Sequence, residues 1–290
     1  MSPGAYLFLK SDETMRFQAT PDSVRYLSMS AADLQSAFVI GGLFRAGAVD
    51  LVLTDLDRAV FGTAVPTDRP LELPVPAELR AAHFCDRREL GVLNVGGPGT
   101  VAVDGRSYDL APQDGVYIGR GSQAIVFSSA RPAEPARFYL LSYPAHAALP
   151  TTVVRQAEAN EVHAGSDADA NRRTIHQYIH EGGVRSCQLV MGFTELAAGS
   201  VWNTMPPHTH ARRTEIYTYF DIPTGHRVLH LLGRPDETRH VWLSPGDAVL
   251  SPAWSIHSGV GTTHYRFIWG MGGENQTFAD MDGAAIAALR

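Results

Sequence analysis

The sequence predicts an all-β protein: a duplicated antiparallel β-barrel in one chain, with a few short helices. Three observations predict it. From Arg87 onward, short alternating runs of strand length recur with tight-turn signals between them. The 27 Gly and 18 Pro are spread along the chain, as many turns between short strands require. The two halves also share one plan: strand, Gly turn, strand, Asp-Gly or Pro-Gly-Asp turn, strand.

Composition bounds the reading. A chain of 290 residues can bury a sizeable core as one large or two medium domains. Its 44% hydrophobic and 19% charged residues are those of an ordinary globular protein. A net charge of −6 without a basic run argues against nucleic acid as a partner. No stretch approaches ~20 uninterrupted apolar residues, so no spanning helix is expected. The first ten residues lack a basic n-region, and their apolar run is too short for a signal peptide. Cys85 and Cys187 are the only cysteines, which rules out a disulfide framework and makes a reducing cytoplasm the expected location. Both are expected to be buried, unpaired packing residues.

Taken in order, residues 30–38 read as a short helix with Ser30 or Asp33 near its start. Residues 49–54 alternate like a strand, and the proline-rich, charged stretch 64–80 reads as loop. Leu90-Gly-Val-Leu-Asn-Val is a strand before a Gly-Gly-Pro-Gly turn at 96–99, and Asp104-Gly105 closes a hairpin. No helix pattern follows residues 96–99, so they are not a phosphate loop. Strands at 116–118, 124–127 and 137–141 complete the first series. Residues 145–170, rich in Ala and Pro, read as the connection between domains 1–165 and 166–290. A second series then runs through 171–180, 188–196, 215–220, 228–232, 239–243 and 265–271, and only 282–290 reads as helix.

The second series holds His208-Thr-His210-Ala-Arg-Arg-Thr-Glu215 and, far downstream, His257. Histidines one residue apart on a strand share a face, because the side-chain period is two. After four residues the chain can bend and return a carboxylate toward them, and His257 reaches the group only if the chain doubles back. Three imidazoles and a carboxylate suit a borderline divalent ion such as Zn²⁺, Fe²⁺, Mn²⁺ or Ni²⁺. The donor-poor Met205-Pro-Pro lead-in and the strand-like alternation after Glu215 supply a setting for such a site.

His-x-His-x₄-Glu, Pro245-Gly-Asp and Pro252-x₄-His257 resemble the two metal motifs of the cupin superfamily. Closer still, Arg87-Arg-Glu-Leu-Gly-Val-Leu-Asn-Val, Asn171-Arg-Arg-Thr-Ile, Trp202-Asn-Thr-Met-Pro-Pro-His-Thr-His and Ser251-Pro-Ala-Trp-Ser-Ile-His-Ser-Gly resemble the 4-deoxy-L-threo-5-hexosulose-uronate ketol-isomerases. The resemblance covers roughly residues 20–290 and is densest from Asn171 on. It implies a bicupin, two antiparallel β-barrels of the jelly-roll (double-stranded β-helix) type, that forms hexamers and binds Zn²⁺ through His208, His210, Glu215 and His257. It also implies isomerisation of an open-chain keto-aldehyde uronate from pectin breakdown to 3-deoxy-D-glycero-2,5-hexodiulosonate. The first half lacks the ligands and is expected to support assembly.

An aldose–ketose isomerisation passes through an enediolate, whose oxygens need stabilisation. Period two sends Tyr217 and Tyr219 to the same side as Glu215, where either could donate to an enediolate oxygen or shuttle a proton; ordinary core packing is the competing role. Glu237 is the other candidate base, against an exposed carboxylate paired with Arg239. Arg172 or Arg173 could anchor the uronate carboxylate bidentately, though adjacent residues on a strand face opposite ways. Trp254 could floor the pocket or simply pack. Alternatives on the same scaffold are a 5-deoxyglucuronate isomerase, a non-haem iron dioxygenase and a non-catalytic sugar-binding or storage protein. No dinucleotide fingerprint points to a redox cofactor.

Overall fold

In the computed structural model, which describes residues 15–290, strands alternate with tight turns almost throughout. Ala31–Phe38 is the single α-helix among the described residues, accompanied by short 3₁₀ turns such as Arg25–Ser28 and Ile286–Ala288. The all-β expectation holds. Each half contributes a seven-stranded and a four-stranded sheet.

In the first half the large sheet runs Arg16–Gln18, Val49–Thr54, Val60–Ala64, Phe138–Pro144, Arg88–Asn94, Gly115–Ile118, Thr152–Val154. In the second it runs Asn160–Ala164, Arg173–Ile179, Val190–Leu196, Arg266–Gly273, Arg213–Phe220, Ala248–Ser251, Val39–Ile40. Two of these memberships cross the expected boundary at residue 165. Asn160–Ala164 pairs with Arg173–Ile179, and Val39–Ile40 pairs with Ala248–Ser251. The helix before Val39 follows it onto the second half. Ser30 caps that helix, accepting from the Asp33 N–H at 3.2 Å while the Asp33 carboxylate accepts from the Ser30 N–H at 3.1 Å.

Period two sorts the side chains into three cores. Along Arg213–Phe220, Tyr217 and Tyr219 enter the second barrel, whereas Ile216 and Phe220 face the other half. Along Phe138–Pro144, Phe138 and Leu140 enter the first barrel, and Tyr139, Leu141 and Tyr143 face outward. The two large sheets therefore pack back to back through the faces turned away from the barrels. Glycines permit the approach: a Cβ on Gly272 would lie 2.3 Å from the Tyr143 ring.

Two expectations need correction. Residues 282–290 are not helical: Asp282–Gly283 pairs with His208–Thr209, and only Ile286–Ala288 turns. Tertiary strand pairing outweighs an alanine-rich local preference there. The stretch 64–80 contains the short strand Leu71–Glu72, which pairs with Ile125–Ser129. Cys85 is buried in the first barrel and Cys187 half-buried; neither is paired. Among the described residues no helix is long and apolar enough to cross a membrane.

Candidate metal centre

Three strand segments deliver the site. His208 lies on His208–Thr209, with His210 just beyond it; Glu215 lies on Arg213–Phe220 and His257 on Ile256–Gly261. Register draws them together, since Glu215 sits opposite Ser251 and His257 opposite Leu232, both on inward faces. Their ligand atoms all lie within 4.8 Å of one another. His257 Nε2 is 2.8 Å and His210 Nε2 3.0 Å from Glu215 Oε2, and the Nε2 atoms of His257 and His208 are 3.0 Å apart. His210, Glu215 and His257 are buried, and His208 is half-buried. This cluster could hold a metal ion.

The hydrogen bonding fits that use. The Asp280 carbonyl can only accept, so at 2.8 Å it accepts from a His210 Nδ1–H and leaves the Nε2 lone pair facing Glu215. Arg213 Nε approaches the same Nδ1 at the longer distance of 3.4 Å. A lone pair facing a carboxylate oxygen at this distance repels it unless a cation lies between them. Burial, then the neighbouring His257, pushes His208 down to about 2, so it is neutral and able to ligate. Burial alone would raise Glu215; the neighbouring imidazoles of His257 and His210 outweigh it and hold the carboxyl well below its ordinary value.

Beside the cluster lies a cavity of ≈ 280 Å³, lined by His208, His210, Glu215, Tyr217 and Arg173, with apolar walls from Phe267, Trp269 and Phe278 among others. Tyr217 Oη lies 3.1 Å from Thr204 Oγ1. Burial and the Glu215 charge keep this phenol well above its ordinary pKa, hence protonated and able to donate. Arg173 is half-buried, and its Nη1 donates to the Asn171 carbonyl at 2.8 Å.

Other expected site residues lie elsewhere. Tyr219 shares the inward face but sits deeper, its hydroxyl 2.8 Å from His230 Nδ1, and it does not line the cavity. Glu237 is exposed at the start of an outer strand, 3.3 Å from Arg239, because its hairpin carries it to the rim of the small sheet. Arg172 points to solvent and pairs with Asp167 at 2.7 Å, as alternation on the strand requires. Trp254 is half-buried against Tyr26 and Phe38, ring centroids 4.8 and 6.3 Å away, covering the N-terminal helix rather than the cavity. Thr204, Trp269, Phe278 and Asp280 belong to the site without having been anticipated. Of these, only Trp269 carried a signal, the odd-numbered apolar stripe of residues 265–271.

Residues 50–287 match the KduI/IolB family. The chain belongs to that family. Among KduI/IolB relatives, a 4-deoxy-L-threo-5-hexosulose-uronate ketol-isomerase from Kineococcus radiotolerans is 51% identical over 278 residues, 95% of this chain and 99% of the relative. One from Opitutus terrae is 49% identical over 277 residues, again 95% of this chain and all of the relative. The chain is a ketol-isomerase. Solved structures agree on the fold: an IolB-like protein from Salmonella typhimurium superposes with a TM-score of 0.70 at 16% identity, covering 85% of this chain and 96% of its own. Tomato vicilin gives a TM-score of 0.57 at 12% identity, covering 80% and 83%. The chain has the bicupin architecture.

Proposed function

We propose that this KduI/IolB protein converts 4-deoxy-L-threo-5-hexosulose uronate to 3-deoxy-D-glycero-2,5-hexodiulosonate in a metal-dependent ketol isomerisation. The observation that carries the reading is a cluster of four residues that could hold a metal, three of them lining one cavity together with a protonated phenol and a half-buried guanidinium. His208, His210, Glu215 and His257 would hold Zn²⁺, with Fe²⁺, Mn²⁺ or Ni²⁺ compatible with the same donors. A bound divalent ion supplies Lewis-acid polarisation of the substrate carbonyl.

The chain's own residues do the rest. In this reaction the proton leaves the hydroxyl-bearing carbon and returns to the adjacent carbonyl carbon, while the hydroxyl proton moves to the former carbonyl oxygen. Tyr217 Oη, oriented by Thr204, donates to the enediolate oxygen as charge develops there. Arg173 takes the uronate carboxylate and fixes which end of the substrate faces the ligands. The apolar wall of Phe267, Trp269 and Phe278 keeps bulk water from the enediolate. Glu237, outside the cavity, takes no part. The same reading carries a cytoplasmic homohexamer in pectin-derived uronate breakdown, supported by the likeness to the ketol-isomerases.

Turnover of 4-deoxy-L-threo-5-hexosulose uronate, made by lyase digestion of polygalacturonate, tests this before chelation, after chelation and after Zn²⁺ return. Activity is expected to vanish and come back with metal, and to be absent in His257→Ala. Fully metallated protein that leaves this substrate untouched would discard it and make 5-deoxyglucuronate the next trial.

A further inference from the structure

One turn of the half without ligands reaches the residue next to Glu215 in the candidate metal centre. The hairpin of Val49–Thr54 and Val60–Ala64 closes at residues 56–59, where the Ala59 N–H donates to the Leu56 carbonyl at 2.9 Å. Its central residues, Asp57 and Arg58, both have positive φ, 47° and 56°. That backbone is the tight hairpin turn that favours Asn-Gly or Asp-Gly, and a side chain such as Arg58 adopts it only at a cost. The buried Arg88 holds it in place, donating to the Arg58 carbonyl at 2.7 Å and the Ser142 carbonyl at 2.8 Å.

The turn presents the Asp57 carboxylate to the second half. Asp57 Oδ2 accepts from the Thr214 N–H at 3.1 Å and from Thr214 Oγ1 at 2.6 Å. Thr214 immediately precedes Glu215. The pairing with Ala248–Ser251 starts only at Glu215, so Asp57 serves the Thr214 N–H just beyond the end of that ladder. One carboxylate thus pins the peptide that aims the single acidic ligand of the cluster.

We propose that Asp57 is a positioning residue for the metal centre, so that metal affinity depends on a strained turn in the half that supplies no ligand. This rests on the metal-centre reading above. Partners that orient a ligand commonly contribute 10–100-fold to metal affinity, and Asp57 acts at the lower end because it holds the backbone rather than the ligand atoms themselves.

The test is the Zn²⁺ affinity of the full chain, measured by competition with a chromophoric chelator, together with the unfolding temperature. Asp57→Gly keeps the positive-φ turn and removes the carboxylate; it is expected to weaken Zn²⁺ binding about tenfold. Asp57→Asn, which retains an acceptor and tolerates the same backbone, is expected to restore affinity to near wild type. Tyr178→Phe removes a different contact between the halves, the hydroxyl bond to the Gln113 carbonyl, and is expected to lower the unfolding temperature with affinity unchanged. Should Asp57→Gly fail to fold, Thr214→Val decides instead, with a loss of about threefold from the missing hydroxyl bond. Wild-type affinity in Asp57→Gly or, failing that, in Thr214→Val overturns the proposal, and so does an equal loss in Tyr178→Phe. Wild-type protein that binds no divalent ion would overturn the metal reading itself.

Discussion

Arg172 and Arg173 are neighbours of identical chemistry, and one peptide bond separates a solvent ion pair from a cavity wall. Arg172 spends its charge on Asp167 in water, where such a pair contributes little. Arg173 stands half-buried at the cavity, where burial disfavours its charge and an incoming carboxylate would restore the balance. Arg173→Gln is therefore expected to raise KM for the uronate about 10- to 100-fold, the effect of losing a bidentate charge-assisted pair. Arg172→Gln and Glu237→Gln should leave it within twofold or so, given the small worth of exposed pairs. Steady-state kinetics on the three variants checks this, and a KM shift in Arg172→Gln equal to that in Arg173→Gln would remove the assignment.

Within the elements, alternation decides what each strand offers the barrel. Arg213–Phe220 sends Glu215, Tyr217 and Tyr219 inward, and Val228–Arg234 sends Val228, His230 and Leu232. Tyr219 and His230 form a polar layer beneath the cavity, joined at 2.8 Å. Complete burial, reinforced by the neighbouring His257, pushes His230 down from 6.5 to about 3. Between those values the unfolded chain binds a proton that the folded chain does not. Its contribution to stability is thus full above 6.5 and is lost as pH falls toward 3, at up to ~1.4 kcal/mol per pH unit. His208, pushed to about 2, adds a slope of the same sign. Urea unfolding at successive pH values across this window should show stability rising with pH, and His230→Gln should flatten the rise. An unchanged slope in that variant would show that His230 is not the group responsible.

For the whole molecule, the back-to-back packing of the large sheets makes each half part of the other's environment. The buried Glu89 of the first half accepts backbone N–H groups of Cys187, Gln188 and Leu189 at 2.6–2.9 Å, where the chain enters Val190–Leu196. With Asp57 on Thr214, it makes the halves one mechanical unit. Gly272 sits at that seam. Gly272→Ala places a methyl 2.3 Å from the Tyr143 ring, and overpacking of this kind should destabilise the protein by about 1–3 kcal/mol. Thermal unfolding checks it, and an unchanged midpoint would mean that the seam is looser than the packing implies.

The sequence by itself determined the class of fold, the His208, His210 and Glu215 part of the candidate site, and that at most one of Arg172 and Arg173 could face inward. Those features are local: a strand's period of two sorts neighbouring side chains, and turn residues mark where strands end. Ser30 was legible for the same reason, as a cap bonds within its own first turn. Tertiary structure decided the rest. Glu237 faced outward because its hairpin lies at the rim of a sheet, and Trp254 covered a helix from the start of the chain. The alanine-rich end gave up its helix to pair with His208–Thr209, and the Asp280 carbonyl found His210 through that pairing. Asp57 met Thr214 across the seam. None of these partners is a sequence neighbour of what it touches, and no periodicity encodes which strand lies beside which. That choice is made by the apolar area the sheets bury together, a property of the folded chain and not of any one segment.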